Sequence, residues 1–554
     1  MTRRVGSTIF LVATGARQSL MALVLVVAMT LASQISRGNA QSAVQGADGD
    51  LDSTFGVGGM VKTDFSGNFD VISAIAVQAD GKIVVAGGTS NNARVPSFAL
   101  ARYNSDGSLD QSFGIGGRVI TNTGGLRGAA SLALLPDGKI LAGGAGDGPG
   151  SDFAMTRFNN DGGLDASFGS NGVVLTNVGG ADTAWNMAVQ PDGKILLGGS
   201  AGRVGLQASS FGVVRYKKNG KIDSSFGNKG KAIVEFSSGF DQAYAIALQP
   251  DGKVVLAGAA DLNSDESPFA ITRLNSDGSL DSLFGSGGRV TTNFFGNRNQ
   301  ANGVALQSDG KIIVAGWAAR NPDGREVLAI ARYNGDGSLD ATFGTGGMLI
   351  NDFSGQGGEA RAIELQHDGK IVVAGLAGFA RAAKPQVDFA AVRYNGDGSL
   401  DSSFGNGGAA ITDFLDVIDV ASAIAIQPDG KIVIAGSTTD DMTHSDFAIA
   451  RYDNAVPLDV CISDDSNGNL FQFNSVTGDY KFTACTDDFI LSGRGTLKVK
   501  GCKTTLKDSA PDRIVSVTIK TCKNKASAAI EALSAARGFS ISDSNTGDNT
   551  CACR

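Results

Sequence analysis

The chain is short of the residues from which most enzymes build a site. Only two histidines stand in 554 residues. His367 replaces proline in a turn that recurs along the chain, and His444 sits alone in a polar stretch. Cysteine is absent before position 461, which excludes a cysteine–histidine pair from everything upstream. No nucleophile elbow and no zinc-ligand spacing occurs. Proline is scarce (11 residues) while glycine is abundant (77) without a G-X-Y period, so collagen is excluded and many turns between short strands are expected. Long apolar runs are missing as well. The longest, Leu20–Ala32, has 13 residues, short of the roughly 20 that span a bilayer.

That run has another use. Arg3, Arg4 and Arg17 precede it, and Gly38 and Ala40 offer small residues for cleavage before Gln41. Residues 1–40 therefore read as an export signal cut near Ala40, followed by a linker over 41–50. Arg37, close to the cut, keeps an uncleaved anchor open as the alternative. The mature chain is expected outside the cytoplasm (secreted, periplasmic or on the cell surface) with no transmembrane segment.

Losing the four arginines of the leader takes the formal charge from −8 to −12. Residues 458–554 are nearly balanced, so the acidity lies in the middle of the chain. Such a body repels phosphate backbones and anionic lipid surfaces, which argues against nucleic acid and peripheral membrane partners.

What is present is a repeat. The aspartate of an LDxSFG stretch falls at 52, 110, 165, 223, 281, 340 and 401, and a degenerate copy at 459. A DGK turn opens at Asp80, Asp137, Asp192, Asp251, Asp309, Asp368 and Asp429. Seven units of about 58 residues follow, and an array of this kind must be read before anything else. Each unit carries four short strand signals separated by turn signals. In the first copy these are Met60–Phe65, Ala74–Gln78, Lys82–Ala86 and Phe98–Tyr103. The DGK and NSDGS segments between them are Asx-Gly hairpin turns. Four strands per unit, each too short to stand alone, predict the blades of a β-propeller over 51–457. The array starts with a lone MVKTDF strand and ends on Phe447–Tyr452 with no such strand after it. Met60–Phe65 is therefore expected to complete the seventh blade, closing the ring and removing its open edges.

The pattern LDxSFGxGGxV…AIAVQPDGKIVVAG…DFALARYNxDGS resembles the delta-60 repeat family of exported bacterial proteins. The resemblance covers about 400 residues and implies a propeller. It brings no activity and no catalytic residues.

An arginine precedes the aromatic residue or leucine that closes the fourth strand in all seven units: Arg102, Arg157, Arg215, Arg273, Arg332, Arg393 and Arg451. A seven-fold residue answers a seven-fold geometric need, so each is expected to pair with the nearby LDxSFG aspartate rather than bind an anion. The NxDGSLD turns lack the alternating ligands and terminal glutamate of an EF-hand, and hairpins select Asn, Asp and Gly for backbone reasons. Eight residues before the glutamine that closes the presumed inner strand stand Asp70, Asp182, Asp241 and Asp419, with Glu359 shifted by one place. They either ring one mouth of the channel as a cation or cationic-ligand site, or cap backbone amides in their own turns. Units differ most between the third and fourth strands, over Thr89–Ser97, Trp317–Val327, Ala377–Val387, Ser437–Ser445 and their counterparts. These loops should share one face, with Trp317, Arg320, Arg325, Arg381, Asp440, Asp441 and His444 as candidate ligand contacts.

All six cysteines, Cys461, Cys485, Cys502, Cys522, Cys551 and Cys553, lie in residues 458–554. An even count in an exported segment reads as three disulfides in a small β-rich module, with Lys525–Arg537 open to helix or strand. The fold class is thus all-β: a seven-bladed β-propeller closed by an N-terminal strand, then a disulfide-rich β domain. The leading functional reading is a non-catalytic binding or scaffold protein, expected as a monomer, with a protein, glycan or envelope component as ligand and no cofactor or metal. A carbohydrate-active hydrolase or lyase using carboxylates at the channel mouth is the alternative, and a structural surface spacer the third.

Overall fold

The computed structural model describes residues 47–454 except 66–68, 91–95, 122–124, 148–149, 321–324, 379–386 and 441–443, together with the backbone of eight strands within 460–541. The proposed leader over 1–40 lies outside the described residues. Among the described residues, no helix is long and apolar enough to cross a membrane.

The first described strand, β1 (Met60–Thr63), is followed by β2 (Phe69–Val77), β3 (Ile83–Ser90), β4 (Pro96–Tyr103) and β5 (Arg118–Thr121). Strands β2 to β5 form one antiparallel four-stranded blade, and five more blades follow with the same order. The seventh has only three strands of its own, Ile418–Ile426, Ile432–Thr439 and Ser445–Tyr452. Its fourth is β1, paired antiparallel with Met60 opposite Ala450 and Thr63 opposite Phe447. The expected closure therefore holds. The second strand signal proves longer than the sequence suggested, beginning at Phe69 rather than Ala74, while β1 stops at Thr63. Backbone pairing with β3 as far as Ser90 recruits those extra residues.

The innermost strands are β2 and its counterparts Leu126–Leu134, Thr183–Val189, Gln242–Leu248, Asn299–Leu306, Gly358–Leu365 and Ile418–Ile426. Each neighbours the innermost strands before and after it, and Ile418–Ile426 returns to β2. They surround a central channel.

The apolar core is not one mass but seven slabs, each between two blades. The phenylalanine of LDxSFG seals every slab. Phe113, fully buried, packs with Val84 and Leu100 of its own blade and with Ile140 and Ala154 of the next. Burying a side chain of this size contributes about 2–3 kcal/mol.

The repeated arginines fix the blades to one another. In all seven, arginine and aspartate approach to 2.6–2.9 Å, as the spacing predicts. The guanidinium lies 4.4–4.7 Å from the centroid of the sealing phenylalanine ring. It also crosses to the next blade. Arg102 donates to the Asn160 carbonyl at 2.6 Å, Arg157 to that of Lys218, and Arg451 to that of Ser105, which returns to the first blade. The lysine of each DGK turn joins the same aspartate, as Lys82 does to Asp110 at 2.9 Å.

The closing segment exceeds the single strand expected. In blade seven the partner of Arg451 and Lys431 is Asp52, from the other end of the chain, and the sealing ring is Phe55. Asp48 and Gly49, which the sequence placed in a linker, replace the missing NxDGS turn. Gly405 N–H donates to the Asp48 carbonyl at 2.7 Å, just as Gly114 N–H donates to Asp161. Gly49 adopts φ +87°, and a Cβ there would lie 2.5 Å from the Gly405 nitrogen. Glycine is required on both counts.

Beyond Asn454, eight strands from Val460–Asp464 to Ser540–Ile541 form one antiparallel meander. Ile530–Ser534 is a strand, which decides the described part of Lys525–Arg537. Cys461 is on the first of these strands, and the other five cysteines lie outside the described residues.

Two outcomes follow from this architecture. Asp52→Ala leaves the buried Arg451 without its carboxylate at the ring closure and Lys431 with Asp453 alone, and thermal or denaturant unfolding should show a loss of about 3–5 kcal/mol. If β1 alone closed the ring, the substitution would cost little. The second outcome concerns acid. Burial opposes ionisation of the LDxSFG aspartates, but their lysine, serine or threonine, and arginine partners outweigh it and hold the carboxyls below the usual 3.8, Asp223 at about 2. A depressed folded value stabilises the fold above the ordinary value and is lost as pH falls through the folded one. Circular dichroism melts should therefore collapse steeply between about pH 4 and pH 2.

Candidate functional site

Every β3–β4 loop and its counterparts open at the end of the blade where the innermost strand begins, because all blades share one topology and adjacent ones run parallel where they touch. The variable loops thus share a face, and the DGK turns and arginine clusters occupy the other.

The carboxylates Asp70, Asp182, Asp241 and Asp419 lie under the loop face and are fully buried. Each accepts local backbone amides. Asp70 accepts from Phe65 N–H at 2.7 Å and from the Thr89 hydroxyl at 2.5 Å. Asp182 accepts from Val178, Gly179 and Gly202, and Asp241 from Phe236, Ser237 and Asp261. Asp419 accepts from Phe414 N–H. Their positions match the amide-capping alternative, and they present no surface to the channel mouth. Asn299 takes the equivalent place in blade five, equally buried. Glu359 is only partly buried and pairs with Arg361 at 2.7 Å.

Two of the buried aspartates gather further acids. Asp64, Asp70 and Asp446 bring carboxylate oxygens within 4.8 Å of one another, and Asp388, Asp413 and Asp419 do the same one blade earlier. Burial, then Asp413 and Asp419, push Asp388 up to about 6. Burial likewise raises Asp70 and Asp419.

Trp317, Arg320 and Arg325, expected in a loop, lie on strands. Trp317 pairs with Gln300 and Leu328, and Arg320 pairs with Arg325 at the tip of a long hairpin. Strand pairing extends to Arg320 and Arg325. Arg320 reaches Asp352 at 3.2 Å, and Arg325 donates to the Gly355 carbonyl. His444 is exposed just before Ser445–Tyr452, and Arg381 and Asp441 lie outside the described residues.

A second group of residues was not singled out by sequence. Each innermost strand carries a β-bulge near its start. A bulge inserts one extra residue and re-aims its side chain. At one shared position the bulged residues are Ser73, Ala130, Trp185, Tyr244, Asn302, Arg361 and Ser422, and the second blade bulges again at Arg127, which pairs with Asp147. Unlike the arginine clusters, the residues at the shared position differ from blade to blade, except for the serines of blades one and seven. Because each innermost strand pairs along its length only with the next strand outward, these unpaired residues lie at the edge that faces the channel. The Trp185 and Tyr244 rings of adjacent blades lie 5.5 Å apart, tilted by 50°. The Asn302 amide donates to the Ala360 carbonyl of the following blade at 2.7 Å. Burial pushes the Tyr244 hydroxyl up to about 12, against the charge of Arg361 two blades away. Blades three to six therefore bring large side chains to the axis, while blades seven, one and two bring serine, serine and alanine. Further along the same strand Glu364 stands where the other six units have alanine, and loss of bulk water raises its carboxyl. The signal was in the sequence as the fifth residue before each closing glutamine or Leu135, a position that seldom repeats.

A family model described as "Domain of unknown function (DUF5122) beta-propeller" matches residues 78–113, 135–168, 190–226, 249–284, 307–343, 366–404 and 427–454. The chain belongs to this repeat β-propeller family. Each matched segment runs from the end of an innermost strand toward the LDxSFG motif, and the bulged residues fall outside all seven. No curated sequence matches the chain. Among solved structures, a protein of unknown function from Dyadobacter fermentans is 12% identical, with 72% of this chain and 100% of that one covered and a TM-score of 0.37. The α-L-arabinofuranosidase Arb93A from Fusarium graminearum is 11% identical over 58% of this chain and 92% of that one, also at 0.37. A putative 6-phosphogluconolactonase from Bacteroides fragilis is 13% identical over 75% and 95%, at 0.33. Likeness at this level carries no functional argument.

A carboxyl whose folded value is raised favours folding when protonated, and that contribution is lost as pH rises through the folded value. Asp388→Asn should therefore raise the melting temperature at pH 7.5. The gain should shrink as pH falls through about 6 and vanish below the ordinary value of 3.8, as read by melts across that range.

Proposed function

We propose that this chain is an exported binding protein whose ligand reaches the central channel and is held by the bulged residues of blades three to six. One observation carries the reading. On a frame that repeats seven times, Trp185, Tyr244, Asn302 and Arg361 are each used once, clustered on neighbouring strands. A fold needs its sealing phenylalanine and its arginine cluster in every blade, and it needs no particular residue at the bulge. Aromatic side chains with a few convergent polar groups in a concavity are what small-molecule and chain-end sites are made of. The carboxylates on which an enzyme reading would have rested are occupied by backbone amides, which favours binding over hydrolysis. The export signal over 1–40 and the glycine-rich, acidic body fit a protein that works in or beyond the cell envelope.

The test is affinity capture from the envelope of the source cell with the full mature chain. Trp185→Ala/Tyr244→Ala should abolish capture of the specific component while leaving the melting temperature within a few degrees. Retained capture by this variant sinks the channel reading. The N-terminal sequence of the exported protein should begin at or near Gln41.

A further inference from the structure

We infer that the bulge crescent binds the end of a neutral oligosaccharide, an inference that rests on the channel-binding reading above. The first argument is shape. Four consecutive blades bring Trp185, Tyr244, Asn302 and Arg361 toward the axis, and at the same position the three facing them bring Ser422, Ser73 and Ala130, with Arg127 at the second bulge of blade two held by Asp147. At that level large side chains line one side of the channel and small ones the other, so its lining is lopsided rather than seven-fold symmetric.

The second argument is pre-organisation. Trp185 Nε1–H donates to Ser200 Oγ at 3.2 Å, and the Tyr244 hydroxyl donates to Gln242 Oε1 at 2.6 Å. Gln300 Nε2 donates to Asn302 Oδ1 at 2.8 Å, and Glu359 pairs with Arg361 at 2.7 Å. In blades four, five and six the residue two places before the bulge holds the bulged side chain. Three successive strands have the same supporting device under three different side chains. Groups held in advance lose little entropy when a ligand arrives, and side chains that only fill space need no such support.

The third argument is chemistry. Two pinned aromatic rings, tilted by 50° to each other, each offer a weakly polar face suited to the C–H face of a pyranose. The bonds described use one donor and one acceptor of the Asn302 amide, which leaves one N–H and one lone pair. The Arg361 guanidinium sits beside the Glu359 carboxylate, so donors and acceptors alternate along the crescent. Hydroxyl groups, each both donor and acceptor, match that alternation. The Arg361–Glu359 pair is neutral, Glu364 adds no positive charge, and the propeller carries a net negative charge, so a polyanion is disfavoured.

The chain has only two tryptophans, so Trp317→Phe leaves Trp185 as the sole indole reporter. In that background, emission should shift saturably with at least one of cellohexaose, maltohexaose, mannohexaose and chitohexaose, and not with an oligogalacturonate of equal length. Asn302→Ala, Arg361→Ala and Tyr244→Ala should each weaken the response at least ten-fold, while Tyr244→Phe keeps most of it. Melting curves check that each variant is folded, and titration calorimetry on the unsubstituted chain replaces fluorescence if Trp317→Phe is not. A response to the oligogalacturonate alone, or to none of the sugars, overturns the inference. So does an equal response in Tyr244→Ala and Asn302→Ala. If no sugar binds but the Trp185→Ala/Tyr244→Ala variant still loses envelope capture, the saccharide inference falls and the channel reading stands.

Discussion

A buried guanidinium that must be neutralised seven times over organises this protein. Arg102 and its six counterparts are nearly excluded from water, and a charge in that position is tolerated only when paired and hydrogen-bonded. The pairing aspartate arrives from the LDxSFG loop of the same blade, the ring beneath comes from the same motif, and a carbonyl of the next blade accepts from a second guanidinium nitrogen. One residue thus settles the fold of its own outer loop and the seating of its neighbour. No blade completes its cluster alone. The last one completes it only by taking Asp52 and Phe55 from the beginning of the chain, and Arg393 of blade six takes Asp48 from the same segment. Closure of the ring is as much electrostatic as it is strand pairing.

This constraint explains where variation is permitted. The arginine clusters, the sealing phenylalanines and the DGK turns lie on one face and between blades, and they repeat because the geometry repeats. The starts of the innermost strands and the loops above them are free of that demand. There the seven units part company, from Trp185 to Ala130 at one structural position. The segments recognised as belonging to the family skip these starts, so the shared frame and the private chemistry are separated along the chain as well as in space.

Two classes of acid follow the same division. Aspartates on the cluster face are held ionised by lysine and arginine despite burial, and they make the fold sensitive to acid. Under the loop face, Asp70, Asp182 and Asp419 are buried without a full counter-charge, supported mainly by backbone amides, and their carboxyls are raised. Seen along the chain, Asp52 and Asp70 are merely two acidic residues 18 positions apart. Their opposite behaviour comes from which partners the fold delivers.

Much of this was legible in the residues. The count of blades, the order of strands within each, the borrowed outer strand and the arginine–aspartate pairing all follow from spacing, because a period of about 58 residues with fixed turn chemistry leaves few ways to place four strands. The seven bulges were not legible. A bulge depends on the register between two strands, and the local residues of β2 suit an unbroken alternation as well as an interrupted one. Only pairing with β3 shows that Ile72 and Ala74 face successive partners while Ser73 is thrown out. The same holds for Asp48 and Gly49, which looked like a linker until Gly405, more than 350 residues away, was found resting on them. Local sequence determined what each unit is. The meeting of strands and of chain ends decided which residues of those units face the axis, because that choice is made by contacts no short window contains.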